Sequence, residues 1–300
     1  MFEKGKNGVL DIWTPKDKKI DVIRMQDQTL CHVKSAMGYP AIYPLLPAKI
    51  EPPCEAVLMD LDGTSVKSEG FWIWIIGQSI AALTGNPHFE LEEADIPHVS
   101  GHSVSEHLQY CINKYCPDKT VEEARALYYQ ITDCEMNEIL EGRGKQGAFT
   151  PAEGLKDFLL SLKDRGIKIG LVTSGLYKKA MPEIISAFRT LDMGDPVDFY
   201  DAIITAGYPL GKGMVGTLGE LAPKPHPWLY AETMRVGLGI PFERRGHVVG
   251  IEDSSAGIVS LRLAGASAIG MRDGNITEAG VELLCETMED HLTDILPILP

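Results

Sequence analysis

The chain has 300 residues, which suits one large or two modest domains, and 44% of them are apolar, ample for a packed core. The formal net charge is −14, and no block of five like charges occurs, which argues against broad binding to nucleic acid or to an anionic membrane. The six cysteines are scattered without a CxxC pair, and the first residues lack the apolar run of a signal peptide, so we expect a reduced, cytoplasmic protein.

The first 50 residues match no motif and predict an N-terminal extension of unknown role. Residues 9–13 and 20–25 are typical of two short strands around a polar turn. Residues 39–53 contain five prolines, which predicts an irregular, extended arm. Such an arm could pack on the core, join an oligomer or be a passive extension, and the sequence leaves these alternatives open.

Residues 55–66, with the sequence EAVLMDLDGTSV, organise the rest of the chain. An apolar run typical of a buried strand ends in Asp60 and Asp62, whose side chains point to the same side at strand period. Gly63 lets the chain leave the strand sharply. Open α/β sheets bind their ligands at this end of a strand, and two adjacent carboxylates favour a cation or one shared proton. We therefore expect a ligand site here.

Residues 67–149 show helical spacing of their apolar residues throughout. The repeating positions are Leu108, Cys111, Ile112 and Tyr115, and then Ala124, Leu127, Tyr128 and Ile131. Residues 71–76 are apolar on every side, which favours a helix buried between two layers. Because this segment follows the two aspartates directly, the sequence predicts a small all-helical cap lying over them.

From Thr150 the sequence alternates helices with apolar strands. Thr150 to Glu153 has the pattern of a capping box, which predicts a helix whose first residue is Pro151. The predicted strands lie at residues 167–172, 199–205, 247–251 and 267–270, and the last of these is expected to end the sheet. The alternation predicts an α/β fold with a doubly wound, mostly parallel sheet, formed by residues 51–66 and 150–300.

Polar residues follow the strand that ends at Val172. The Thr173 hydroxyl can hold a phosphate oxygen, and the backbone amides of Ser174 and Gly175 can cradle another. By itself this tripeptide is more typical of a simple turn.

Two further polar groups come later in the chain. Lys224 lies between two prolines that restrict its backbone and aim its side chain, although such a lysine is by itself typical of an exposed loop. Glu252 and Asp253 end an apolar strand, where carboxylates are normally excluded, and they indicate a second acidic contribution to a metal site.

In this order, four motifs resemble those of the haloacid dehalogenase-like (HAD) hydrolase superfamily. The motifs are DLDGTSV at 60–66, LVTSG at 171–175, APKPHPWLY at 222–230 and GIEDSSAGIVSLRLAGA at 250–266. The resemblance covers about residues 55–275; its first and last motifs are specific, and the middle two gain meaning from their order. The inserted segment implies the small helical cap of the β-phosphoglucomutase and phosphatase branch, on a Rossmann-like core.

The resemblance also implies a role for each matching residue. Asp60 would be the nucleophile that takes the phosphoryl group, and Asp62 the general acid and base, with a pKa that we expect burial under the cap to raise. Thr173 and Lys224 would hold the phosphoryl oxygens. Further substrate-binding residues would be Gly63, Thr64, Ser174 and Gly175. Magnesium would be bound by Asp60, Asp253 and the backbone carbonyl of Asp62, with Glu252 supporting the site.

The sequence departs from the family pattern around the predicted cap. Lys67 stands where an acidic residue is usual, and Val104 stands where β-phosphoglucomutases carry an arginine that grips a second phosphate. His102 in the same loop is a candidate substrate contact. A zinc site formed by His98, His102 and His107 fits no common spacing.

The leading functional hypothesis is a Mg²⁺-dependent phosphohydrolase that cleaves a small phosphorylated metabolite through an aspartyl-phosphate intermediate, acting as a monomer or homodimer. A sugar-phosphate mutase is the alternative, and the missing arginine counts against it. A phosphonoacetaldehyde hydrolase would need a cap lysine, and Lys67, Lys114 and Lys119 do not match that pattern. A dehalogenase is disfavoured because Asp62 suits phosphoryl chemistry, and a non-catalytic binding module fits least.

Overall fold

The computed structural model describes residues 2–34, 40–99, 104–207 and 221–300, within which twelve strands occur. The first seven are β1 (Val9–Trp13), β2 (Ile20–Met25), β3 (Thr29–Val33), β4 (Ala41–Pro44), β5 (Ala56–Asp60), β6 (Val66–Lys67) and β7 (Thr150–Pro151). The others are β8 (Lys168–Leu176), β9 (Ala202–Gly207), β10 (Val248–Glu252), β11 (Ser267–Met271) and β12 (Thr287–Glu289).

Nine α-helices occur among the same residues. They are α1 (Glu69–Thr84), α2 (Val104–Tyr115), α3 (Val121–Leu140), α4 (Leu155–Asp164), α5 (Tyr177–Leu191), α6 (Pro196–Phe199), α7 (Trp228–Glu232), α8 (Ser255–Ala264) and α9 (Ile276–Ala279). None of the helices in the described ranges is long and apolar enough to span a bilayer.

The central sheet has six parallel strands in the order β12–β11–β10–β5–β8–β9, and helices flank it, which confirms the predicted α/β fold. Every residue of β5, β10 and β11 is buried, as expected for strands covered on both faces. Side chains of β5 alternate between two apolar clusters: Val57 and Met59 pack with α4 and α5, whereas Ala56 and Leu58 pack with α7 and α8. The expectation that β11 ends the sheet is wrong, because β12 pairs with it at the edge.

The N-terminal segment forms a four-stranded antiparallel sheet in the order β1–β2–β3–β4. Buried residues Ile20, Cys31 and Val33 belong to the same apolar cluster as α7 and α8, so this sheet covers that helical layer. Strands β1 and β2 were predicted correctly, but the expected irregular arm contains β4. Pro44 is tolerated there because β4 is an edge strand with only one paired side.

The helices α1, α2 and α3 follow β5 and the short strand β6, and they lie over the carboxyl ends of the central strands. α1 packs against α3, and α3 packs against α5 of the core. In α1, Phe71, Ile75 and Ile76 are buried, but Trp72, Ile73 and Trp74 are only partly buried, so, contrary to its all-apolar pattern, the helix is not buried on every side. A buried Asp95 accepts hydrogen bonds from the hydroxyls of Tyr110 and Tyr115, at 2.8 and 2.5 Å.

The two connections to this helical region run side by side. β6 and β7 pair antiparallel, with Val66 opposite Pro151 and Lys67 opposite Thr150. The capping box expected at Thr150 is therefore wrong: this residue extends a strand, and helix α4 begins later, after Gly154 in a left-handed conformation. A long-range backbone pairing overrides the local helix-start signal.

Candidate active site

The central sheet brings three polar strand ends together. β5 lies between β10 and β8, so the carboxyl ends of these strands place Asp60, Glu252 and Thr173 at one edge. All three residues are buried. This is the edge at which parallel α/β sheets bind ligands, because the helix and loop that follow each strand open away from it.

Lys224 reaches this edge from the loop before α7. Its Nζ donates hydrogen bonds to Asp60 Oδ1 and, at 2.7 Å, to Glu252 Oε1, and only 6% of its side chain is exposed. Burial lowers the pKa of Lys224, but the two carboxylates outweigh this and hold the pKa above its ordinary value. The Lys224 backbone amide donates to Ser174 Oγ at 3.1 Å, which ties its loop to the end of β8. The ammonium is thus held charged among the carboxylates.

Three carboxylates can share one cation at this edge. Asp60, Glu252 and Asp253 each offer an oxygen, and these oxygens lie within 4.8 Å of one another. Burial and the Glu252 charge raise the pKa of Asp60 well above its ordinary value and that of Asp253 to about 7. Such mutual repulsion is relieved by a cation, and an all-oxygen donor set suits Mg²⁺. The residues present therefore fit magnesium.

Glu252 is held more firmly than its two neighbours. Its Oε1 accepts a hydrogen bond from the Tyr230 hydroxyl at 2.5 Å, and its Oε2 accepts one from Ser254 Oγ at 3.0 Å. Because its oxygens already have donors, including Lys224, this carboxylate is suited to orienting the lysine and supporting a metal site rather than to dominating the coordination. Tyr230 is the last residue of the motif at 222–230, but the sequence analysis assigned it no role.

The turn after β5 wraps around the acidic cluster. Gly63 has φ +89°, and a Cβ atom there would overlap the Asp253 carboxylate, so only glycine fits this position. Thr64 Oγ1 donates to Asp253 Oδ1 at 3.3 Å, and Ser65 Oγ donates to the Asp60 carbonyl at 2.6 Å. Gly63 and Thr64 were expected to bind substrate: Gly63 lines the cavity, whereas the Thr64 hydroxyl contacts Asp253.

Asp62 lies just beyond the strand, where it lines the cavity beneath the cap and accepts a hydrogen bond from Ser68 Oγ at 2.8 Å. Its pKa differs from the raised value that was expected. Burial raises the pKa, but the Lys179 charge, a hydrogen bond with Glu183 and the Ser68 contact lower it by more, so it falls below its ordinary value.

Glu183 and Lys179 of α5 were missed by the motif analysis. The Glu183 side chain is completely buried. Among the described residues, no N–H or O–H group donates a hydrogen bond to either of its oxygens. Burial and the nearby Asp62 charge raise the pKa of Glu183 well above its ordinary value. In the sequence, the only indication of a role for Glu183 was the position of a charged residue next to the apolar positions of α5.

β8 was expected to end at Val172 but continues to Leu176, with an irregular pairing after Thr173, and this last part of the strand makes a hydrogen bond within itself. Thr173 is buried, and its Oγ1 accepts a hydrogen bond from the Gly175 amide at 2.8 Å. This contact occupies the amide that was expected to cradle a phosphate oxygen. Ser174 is exposed and lines the cavity.

A cavity of about 1080 Å³ separates the helical region from the strand ends. Val104, His107 and Tyr128 line it from the helical side, whereas His102 lies outside the described residues. Lys67, at the departure from the family pattern, lies 2.6 Å from Asp273 Oδ2 and donates to the Gly63 carbonyl. Lys67 thereby joins the turn after β5 to Asp273 at the edge of the cavity.

The family model for haloacid dehalogenase-like hydrolases matches residues 54–265, which include all of these strand ends. The chain belongs to the haloacid dehalogenase-like hydrolase family. No curated protein shows significant sequence similarity to it.

Solved structures share this fold at low sequence identity. CbbY from Rhodobacter sphaeroides, in complex with phosphate, is similar with a TM-score of 0.54 and 19% identity over 81% of this chain and 96% of that chain. A predicted phosphoglycolate phosphatase from Haemophilus somnus 129PT has a TM-score of 0.57 and 17% identity, covering 82% and 98%. A subfamily IA hydrolase from Geobacter sulfurreducens PCA has a TM-score of 0.56 and 17% identity, covering 85% and 100%.

Proposed function

We propose that this chain is a Mg²⁺-dependent phosphohydrolase that acts on a small phosphorylated metabolite through an aspartyl-phosphate intermediate. The contact of Lys224 with both Asp60 and Glu252 carries the proposal, because it places a charged ammonium directly beside a buried carboxylate nucleophile. A metal ion bound by Asp60, Asp253 and the Asp62 carbonyl would supply further positive charge for the phosphoryl oxygens.

The residues divide the reaction into two steps. In the first, an Asp60 oxygen forms a bond to phosphorus while the bond to the leaving oxygen breaks, and Asp62 donates a proton to that oxygen. In the second, Asp62 takes a proton from water, which attacks phosphorus and breaks the bond to Asp60. Lys224 and the Thr173 hydroxyl stabilise the charge on the phosphoryl oxygens throughout.

Asp62 must hold a proton when the leaving oxygen departs, yet its pKa is low without substrate. A bound phosphate adds negative charge beside this carboxyl, and cap closure removes water from the cavity. Both changes disfavour the carboxylate and raise the pKa of Asp62. We therefore assign residues 67–149 as a cap that helps to set the protonation state of the general acid.

A screen of phosphate release over phosphorylated metabolites, with Mg²⁺ or with excess chelator, tests this function. The Asp60→Asn variant should lose several orders of magnitude in turnover, roughly 5 kcal/mol or more of barrier at about 1.4 kcal/mol per factor of ten. Asp164→Asn, exposed at the end of α4 and near the amino ends of the strands, is the matched control and should remain active. Wild-type turnover by the Asp60→Asn variant would contradict the proposed nucleophile.

The same screen separates the alternatives. A mutase would release little phosphate and would need a bisphosphate primer to interconvert sugar phosphates. A non-catalytic binding module would show neither turnover nor a magnesium requirement.

A further inference from the structure

Lys179 lies where the core meets the cap. It follows the Ser174–Gly175 segment by one turn of α5, lines the cavity, and has 39% of its side chain exposed. Its Nζ is 4.1 Å from the ring centroid of Trp72 in α1. The ammonium therefore stands between the phosphate end of the cavity and the cap wall.

Within the described ranges, Lys179 is the cavity cation with the loosest ion pair. Among the described residues, the nearest carboxylate oxygen to Lys179 Nζ is Glu183 Oε1, at 3.9 Å, which is beyond hydrogen-bond distance. The other cavity-lining lysine, Lys67, contacts Asp273 at 2.6 Å. Lys224 is enclosed by its two carboxylates. The Lys179 ammonium can therefore donate hydrogen bonds to a ligand, whereas Lys67 and Lys224 donate to protein oxygens.

The surroundings of Lys179 strengthen its attraction for an anion. The cap wall of the cavity includes the apolar side chains of Trp72, Ile73 and Val104 as well as Glu69 and His107. The part of this wall that lies against the Lys179 ammonium is the Trp72 ring. A charge beside such a ring interacts more strongly than it would in water. Burial lowers the pKa of Lys179, but the Asp62 and Glu183 carboxyls raise it by more, so the side chain stays charged.

Building on the proposed phosphohydrolase function, we propose that Lys179 binds a second anionic group, a carboxylate or a phosphate, on the leaving group of the substrate. The transferring phosphate occupies the strand ends, so the rest of the molecule extends towards the cap, past the Ser174–Gly175 segment. The preferred substrates are then small phosphate esters with a second acidic group. Lys179 in the core then provides the positive charge that is missing from the cap, where Val104 stands in the position of the β-phosphoglucomutase arginine.

A different role for Lys179 makes a different prediction. If the lysine served only to balance the charges of Asp62 and Glu183, its removal would change turnover of all phosphate esters by a similar factor. If it binds the leaving group, the loss will fall on esters that carry a second charge.

The experiment compares kcat/KM for pairs of esters that differ in one anionic group. The pairs are 2-phosphoglycolate with 2-hydroxyethyl phosphate, 3-phosphoglycerate with glycerol 3-phosphate, and fructose 1,6-bisphosphate with fructose 6-phosphate. The first two pairs report on a carboxylate and the third on a phosphate. In Lys179→Met, the preference for the acidic member should fall by about tenfold or more, mainly through KM, since a charge-assisted hydrogen bond is lost.

Two variants serve as controls. Lys178→Met removes an exposed lysine one position away and should keep the wild-type preference, and Lys179→Arg should restore most of it. An unchanged preference in Lys179→Met, or an equal loss on both members of each pair, would overturn the proposal.

Binding can be measured without turnover. The Asp60→Asn variant should be stabilised against thermal unfolding more by the acidic than by the neutral ester, and adding Lys179→Met should abolish the difference. Discrimination in this assay without any turnover by the wild type would reject the phosphohydrolase function but keep the anion site. Turnover by the wild type without discrimination in either assay would reject only the anion site.

Discussion

The hydroxyl of Tyr43 lies 2.8 Å from Nδ1 of His226, which joins the N-terminal sheet to the loop that carries Lys224. The two rings meet edge to face at 5.9 Å. From the other side, Ser260 Oγ donates to the His226 carbonyl at 2.6 Å. The Lys224 loop is therefore clamped between the N-terminal sheet and α8, two residues from the ammonium that contacts Asp60.

Removal of the Tyr43 hydroxyl should lower catalysis more than it lowers stability. In Tyr43→Phe the ring contacts remain while one hydrogen bond to the Lys224 loop is lost, which we expect to reduce kcat about fivefold, equivalent to about 1 kcal/mol. Tyr129→Phe, on an exposed tyrosine of the cap, is the control and should have no effect. Steady-state kinetics and thermal unfolding of both variants make the comparison. If kcat is unchanged in Tyr43→Phe, the N-terminal sheet does not position this loop.

Gly63→Ala should disable the acidic cluster. The added methyl group would overlap the Asp253 carboxylate and displace it, and a misplaced group in a catalytic site can cost about 100-fold in rate. Gly166→Ala is a matched control, because Gly166 has a similar positive φ of +70° but open space around it. The control should lose about 1 kcal/mol of stability from backbone strain and keep its activity. Equal activities of the two variants would show that the overlap with Asp253 does not matter.

Magnesium should stabilise the protein, and Asp253 should mediate the effect. The unfolding temperature of the wild type should rise with Mg²⁺ concentration and return to its starting value with chelator, because only the folded state binds the ion. The raised pKa of Asp253 means that its charge destabilises the metal-free fold. Asp253→Asn should therefore unfold at a higher temperature than wild type without metal, and respond less to Mg²⁺. A full magnesium response in Asp253→Asn would argue for a site elsewhere.

Acid should loosen the cap through Asp95. Burial raises the pKa of this carboxyl, but hydrogen bonds from Lys114, Tyr115 and Tyr110 outweigh it and hold the pKa below its ordinary value of 3.8. A lowered folded-state pKa contributes stability that is present above 3.8 and is lost as pH falls through the folded-state value.

The test is hydrogen exchange of the α2 amides as a function of pH. Protection of these amides in the wild type should decline at acid pH, whereas Asp95→Asn should already be less protected at neutral pH and should show a flatter profile. Asp118→Asn, on an exposed aspartate just after α2, is the control. A wild-type profile in Asp95→Asn would mean that this cluster does not hold the cap.

The sequence by itself determined five of the six strands of the central sheet and the placement of the polar strand ends, and it missed β12 at the edge. Apolar runs of about five residues that alternate with helical patterns predicted buried strands with parallel neighbours, whereas the apolar run at residues 71–76 predicted a helix. Once β5, β8 and β10 are parallel and adjacent, Asp60, Thr173 and Glu252 must meet at one edge, whatever the details of packing. Lys224 was accessible only through the resemblance, since no local pattern distinguishes it from an exposed loop lysine.

Only the tertiary structure decided how distant segments modify this site. Thr150 lies in a strand and does not cap a helix, because its backbone pairs with Lys67. Asp62 has a lowered pKa, although burial alone raises it, because α5 places Lys179 and Glu183 beside it. Local sequence carries dihedral preferences and hydrophobic periodicity, which act over a few residues, whereas hydrogen bonds and charges depend on which side chains packing brings within a few ångströms. Those partners lie more than 80 residues away in both cases, where no periodicity connects them.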